Sequence, residues 1–198
     1  MMVVMEGADS SGSRRRMIRS AAILLRRNGY SGTGFREVIA HSGAPRGSIY
    51  HYFPRGKAQL AAEAVQEVGE FGRLALERAV ADGDPTSALP AFADFWRAEL
   101  LRGDFRDGCP VVAVAVEQHD GSPEPLRAAA LVFESWEDVL AGSLREAGVA
   151  ADRAAALATT VIAAVEGAIV LCRVRRGTEP LDRVITELDG LLRAAVAG

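Results

Sequence analysis

Between Pro45 and Lys57 the chain concentrates side chains that donate hydrogen bonds: Arg46, Ser48, Tyr50, His51, Tyr52, Arg55 and Lys57. Such a set can belong to a core, a catalytic cluster or a surface that grips a polyanion. Catalysis has the least support. Only His41, His51 and His119 could serve as histidine bases, and the chain carries no glycine-rich phosphate loop, nucleophile elbow or metal-ligand spacing. The reading is of a protein that is not an enzyme and needs no cofactor or metal. A polyanion suits the donors better. Arg46 can pair bidentately with a guanine edge or clasp a phosphate, and both readings stay open. Gly47 lets a backbone come close to a duplex. Tyr50, His51 and Tyr52 are consecutive, so at about 100° per residue they fan around a helix and cannot all be core.

Charge supports the same surface. From Ser10 to Lys57 there are ten basic residues and one acid, Glu37, a net of +9, whereas the chain from Ala58 onward carries −10. A basic head on an acidic body points to a polyanion, nucleic acid, as partner. Lys57 is the only lysine among the 23 basic residues. An ammonium at a helix start is unfavourable in isolation and well placed beside a phosphate.

Helical spacing must position these groups, and strand-type alternation is hard to find, so the fold is expected to be all-α. The first 13 residues, "MMVVMEGADSSGS", read as a disordered tail; their apolar part is too short for a signal peptide. A first helix is expected over 14–28, with Ile18, Ala21, Ala22 and Leu25 inward and Asn28-Gly29 as its stop. Arg14, Arg15 and Arg16 then crowd its positive end, which a nearby polyanion would relieve. "TGFREVIAHSG" reads as a short second helix capped by Thr33 or Gly34 and closed by Gly43. Pro45 stands at or near the start of a third, whose Ile49 and Phe53 share an inner face. A helix, a glycine turn and a second short helix make a helix-turn-helix, in which the first residues of the second helix reach base edges. Here these are Pro45, Arg46, Gly47 and Ser48. Residues 14–56 thus form a DNA-binding domain and 57–198 a helical body.

The body reads as six helices, over 57–81, 86–102, 110–119, 123–147, 152–176 and 179–197, giving about nine in all. The stretch 154–172 has one charge in 19 residues. Its seven alanines and the central Glu166 argue against a bilayer and for burial between two subunits. Its outer face, with Leu157, Val161 and Val165, is expected to join Leu181, Val184, Ile185, Leu188, Leu191 and Leu192 in a four-helix dimer interface. Phe92, Phe95, Trp96, Phe133 and Trp136 could line an apolar ligand pocket or form ordinary core. Glu166 is a candidate polar anchor, and Cys109 precedes a helix start that would lower its pKa. Glu117 and His119, two apart on an expected helix, point to different faces. Two isolated cysteines, Cys109 and Cys172, speak for a cytoplasmic protein.

"AAILLRRNGYSGTGF", then "VIAHSGAPRGSIYHYF", then a lysine opening the next helix resemble the TetR family of bacterial transcriptional repressors. "DGCPVVAVAVE" and "FPRGK" are similar to an LmrA/YxaF-like subgroup. Pro45 departs from the serine or threonine of many relatives. The resemblance implies a homodimer with two DNA-binding heads, a palindromic operator, and a body whose small-molecule ligand releases the DNA. It implies phosphate contacts for Thr33, Tyr50, Tyr52 and Lys57, with His51 at the groove wall. The subgroup implies an apolar or aromatic inducer. A DNA-binding regulator without a ligand, governed by a partner protein, is the alternative.

Overall fold

Glycines with positive φ end two of the first helices. Gly29 (φ 74°) follows Asn28 and donates to Leu25 O at 2.9 Å, and Gly43 (φ 64°) donates to Ile39 O at 3.1 Å. The left-handed conformation costs glycine nothing and closes a helix cleanly. The computed structural model describes residues 6–119 and 121–198, with side chains from Gly12 onward. Among them are nine α-helices, one 3-10 turn and no strand. The helices are α1 (Glu6–Asn28), α2 (Phe35–Ser42), α3 (Ser48–Tyr52), α4 (Lys57–Ala79), α5 (Ala88–Arg102), α6 (Pro110–Ala115), α7 (Glu124–Glu146), α8 (Ala151–Arg175) and α9 (Glu179–Val196).

Three boundaries differ from the sequence reading by three residues or more. α1 begins at Glu6 rather than Arg14, so residues 6–13 of the expected tail are helical; the first five residues lie outside the described set. Arg14, Arg15 and Arg16 consequently sit inside α1, more than two turns from its positive end, and place no misplaced charge there. α3 begins at Ser48, leaving Pro45, Arg46 and Gly47 in the turn before it. α6 stops at Ala115, four residues short of the expected end.

The chain divides into two compact units. One comprises the described residues through Val68 together with Pro110–Ala130. Its core draws Met17, Ala21 and Leu25 from α1, Val38 from α2, Ile49 and Phe53 from α3 and its exit, and Leu60, Ala64 and Val65 from α4. The packing boundary therefore falls inside α4 instead of before it, and the head's unit also takes in α6 and the first turns of α7.

The other unit holds Gly69–Cys109 and Leu131–Gly198. α8, which by length and composition could cross a membrane, packs on α9 and α5. Its buried face is Leu157, Val161, Val165 and Ile169, which meets the side of α9 carrying Leu181, Leu188 and Leu192. That corrects the expected dimer face: these leucines and valines are core of their own protomer, while Val184, Ile185 and Leu191 are half-buried. A helix apolar all round does not announce which side turns inward. The exposed side of α8 is Ala156, Thr160, Ala163, Gly167, Val170 and Val174.

α7 meets α4 at a residue without a side chain. Trp136 Nε1 donates to Gly69 O at 2.9 Å, and a Cβ on Gly69 would lie 2.2 Å from Val132 Cγ2. Gly69→Ala is expected to lower the unfolding free energy by about 1–3 kcal/mol, the usual cost of overpacking. Urea titration reads that loss, and Val132→Ala added to the variant should recover part of it.

Candidate nucleic-acid interface

The donor-rich segment is held from below by two apolar anchors. Ile49 is fully buried and Phe53 nearly so, and Phe53 N closes α3 onto Ile49 O at 2.9 Å. Above them Pro45, Arg46, Gly47, Tyr50 and His51 are exposed, and Ser48 and Tyr52 half-exposed. The structure thus gathers seven of the nine proposed DNA contacts on one short stretch facing solvent. Arg46 has no ion-pair partner among the described residues. A Cβ on Gly47 would meet nothing within 4 Å, so the protomer's own packing does not require glycine there. Ser48 Oγ donates to Pro45 O at 2.7 Å and stiffens the turn.

Tyr50 is 68% exposed, and its ring meets Phe35 edge-on at 5.4 Å. It combines a packed ring with a phenol in solvent. His51 and Tyr52 also meet edge to face, at 5.5 Å. Thr33 is different. It is buried, its hydroxyl donates to Gly29 O at 2.8 Å, and Gly34 is the N-cap of α2. Its hydroxyl proton is therefore spent inside the protein rather than offered to a phosphate, and the choice of cap between Thr33 and Gly34 goes to glycine.

Lys57 opens α4, with Nζ 4.1 Å from the Tyr30 ring centroid and 3.5 Å from Ser31 O. Two polar residues hold this corner, one of them, Gln59, not singled out in the sequence. Gln59 is buried; it accepts from Arg55 N at 3.0 Å and donates to Tyr52 O at 3.4 Å and Glu63 Oε1 at 3.0 Å. A glutamine in the third position of a helix, reaching back to a preceding N–H, is a recognisable capping signal. Glu117 is the other. It accepts from the N–H groups of Tyr30 and Ser31, while His119 lies edge-on to the Tyr30 ring at 4.5 Å. The two do converge on one residue, because the helix that would have separated them ends at Ala115. Ion pairs brace the rest: Arg14 with Glu63 at 2.6 Å and Arg55 with Glu124 at 2.7 Å.

In the other unit the candidate ligand residues fall into three groups. Phe133 and Trp136 are in edge contact at 5.8 Å, with the indole N–H already given to Gly69. Phe95 touches buried Trp96 at 5.3 Å and also Phe71 at 6.2 Å, both phenylalanines being exposed; Phe92 is half-buried. Cys109 is buried and its thiol is hydrogen-bonded to the Glu166 carboxylate. Burial pushes the Glu166 carboxyl up to about 7, against a smaller opposing effect of that thiol.

Two families match the chain. The one described as "Bacterial regulatory proteins, tetR family" covers residues 17–64, and "Transcriptional regulator LmrA/YxaF-like, C-terminal domain" covers 85–187. The uncharacterized HTH-type transcriptional regulator Rv0196 of Mycobacterium tuberculosis is 45% identical over 92% of this chain and 95% of its own. The HTH-type transcriptional regulator LmrA of Bacillus subtilis is 35% identical over 91% and 97%. The crystal structure of regulatory protein TetR from Rhodobacter sphaeroides superposes with a TM-score of 0.78 at 29% identity, covering 89% of this chain and 97% of that one.

Glu166 gives a pH signature. Its carboxyl titrates near 7 when folded against an ordinary 4.5, so the native state keeps a proton that the unfolded chain releases. Stability is then full below about 4.5 and declines as pH rises through 7. Glu166→Gln removes the titration, so its stability relative to the parent should grow between about pH 5 and pH 8. Thermal melts at both pH values check this; an equal difference at the two would contradict the assignment.

Proposed function

This chain belongs to the TetR family of bacterial transcriptional regulators, with a C-terminal domain of the LmrA/YxaF-like type, and from that premise we propose that it is a ligand-responsive repressor. It binds a palindromic operator as a homodimer and is released by a small apolar or aromatic inducer. The observation that carries the reading is the exposed run from Arg46 to Tyr52, set on buried Ile49 and Phe53 with Lys57 at its side. Arg46 reads a base edge or the adjoining phosphate. Tyr50, Tyr52 and Lys57 grip the backbone, and His51 lies at the groove wall. Phosphate contacts fix register and base contacts give preference.

In the body, Glu166 with Cys109 supplies the polar anchor of the inducer site, and Phe92, Phe95, Trp96, Phe133 and Trp136 its apolar walls. The dimer forms through the exposed side of α8. Ala156, Thr160, Ala163, Gly167, Val170 and Val174 recur at alternating steps of four and three, the spacing of a helix-packing seam. Val174 is 77% exposed and Val170 48%. Two-fold pairing there gives two heads, whose separation an inducer can alter.

Arg46→Ala should weaken binding to DNA fragments selected from the genome by the parent protein, and relax preference at one base position. Lys57→Ala should weaken all sequences alike and reduce the slope of log affinity against log salt by about one unit. Electrophoretic mobility shifts across a salt series measure both, and two unaffected variants would refute the interface. Val170→Asp with Val174→Asp should convert the dimer to monomer at micromolar concentration by sedimentation, and an unchanged dimer would place the seam elsewhere.

A further inference from the structure

The turn after α1 leaves the N–H groups of Tyr30 and Ser31 without helical partners, and both end on one carboxylate. Glu117 Oε1 accepts from Tyr30 N at 2.7 Å and Oε2 from Ser31 N at 2.9 Å. Gly29, held at φ 74°, lets the carboxylate come this close; a Cβ there would stand 2.1 Å from Glu117 Oε1. Burial opposes the charge on Glu117, but the hydrogen bonds from Ser31 and Tyr30, with Lys57 nearby, hold its carboxyl below the ordinary value. Tyr30 is itself buried, with its ring edge-on to His119 and Lys57 Nζ over its face. His119 Nε2 lies 2.7 Å from Val114 O, which ties that ring back to α6. One short segment, 114–119, thus holds the turn, and the turn offers the ring and the carbonyl that locate the ammonium of Lys57.

We propose that Glu117 is a positioning residue for DNA binding: by gripping Tyr30 and Ser31 it sets the place of Lys57. The inference rests on the DNA-binding reading and adds the residue by which that surface is tuned.

Glu117→Gln keeps size and loses charge; Glu117→Ala removes the grip. Charge-assisted bonds of this kind predict that Glu117→Ala lowers affinity for a DNA fragment selected by the parent protein by roughly tenfold. The salt slope should fall by about one unit, as for Lys57→Ala, because the ammonium is no longer held in place. Adding Lys57→Ala to Glu117→Ala should then cost little more, since the two act in series. Amide exchange at Tyr30 and Ser31 should accelerate in the folded variant. A purely structural role would lower stability and leave the salt slope alone. Folded Glu117→Ala protein with parental affinity and slope would overturn the proposal, as would full additivity with Lys57→Ala. If the alanine variant does not fold, the glutamine variant decides by the same comparison. Parent protein that selects no DNA would overturn the DNA-binding reading itself, and amide exchange would still show whether Glu117 holds the turn.

Discussion

A helix of five residues cannot hold itself together in water, because nucleation costs more than so few hydrogen bonds return. α3 is such a helix, and its existence and direction rest on buried Ile49 and Phe53, with α1 packed on it and Phe35 of α2 against the Phe53 ring. Everything displayed on its outer side inherits its position from those two side chains. Arg46 and Gly47 lie just ahead of it in a turn stiffened by Ser48, so the flexible arginine springs from a fixed base.

Around this anchor the polar groups separate into those that look outward and those that hold. Tyr50 and His51 look outward. Thr33, Gln59 and Glu117 hold, each closing a backbone group that a helix end leaves open. Net charge alone does not distinguish the two sets. Arg14, in the basic run, is paired with Glu63, whereas Arg46 has no ion-pair partner among the described residues. A count of ten positive residues therefore overstates the charge that DNA would meet.

The helix order, the glycine stops and the inward pair Ile49 and Phe53 were legible from spacing, because periodicity and φ preference act locally. What was not legible depended on tertiary partners. The start of α1 escaped because its first turns lack an apolar face, and Thr33 looked like an open hydroxyl until its acceptor, Gly29 O, was seen. α8 is apolar on every side, so the pattern could not say whether Leu157 or Val170 meets the interior. Glu117 was set apart from His119 by a helical rule that stops applying where α6 ends. Its partners lie more than eighty residues earlier, beyond the reach of any local signal.

The placement of 110–130 with the head bears on how such a protein can be divided. A stretch cut after Val68 would contain the whole helix-turn-helix and still lack the carboxylate that closes the turn beside it. The DNA-binding unit is discontinuous in the chain, assembled from an N-terminal piece and a strap inserted into the body. Gene fusion that joins one continuous head to a foreign body must therefore carry that strap, or a substitute for it, along with the motif.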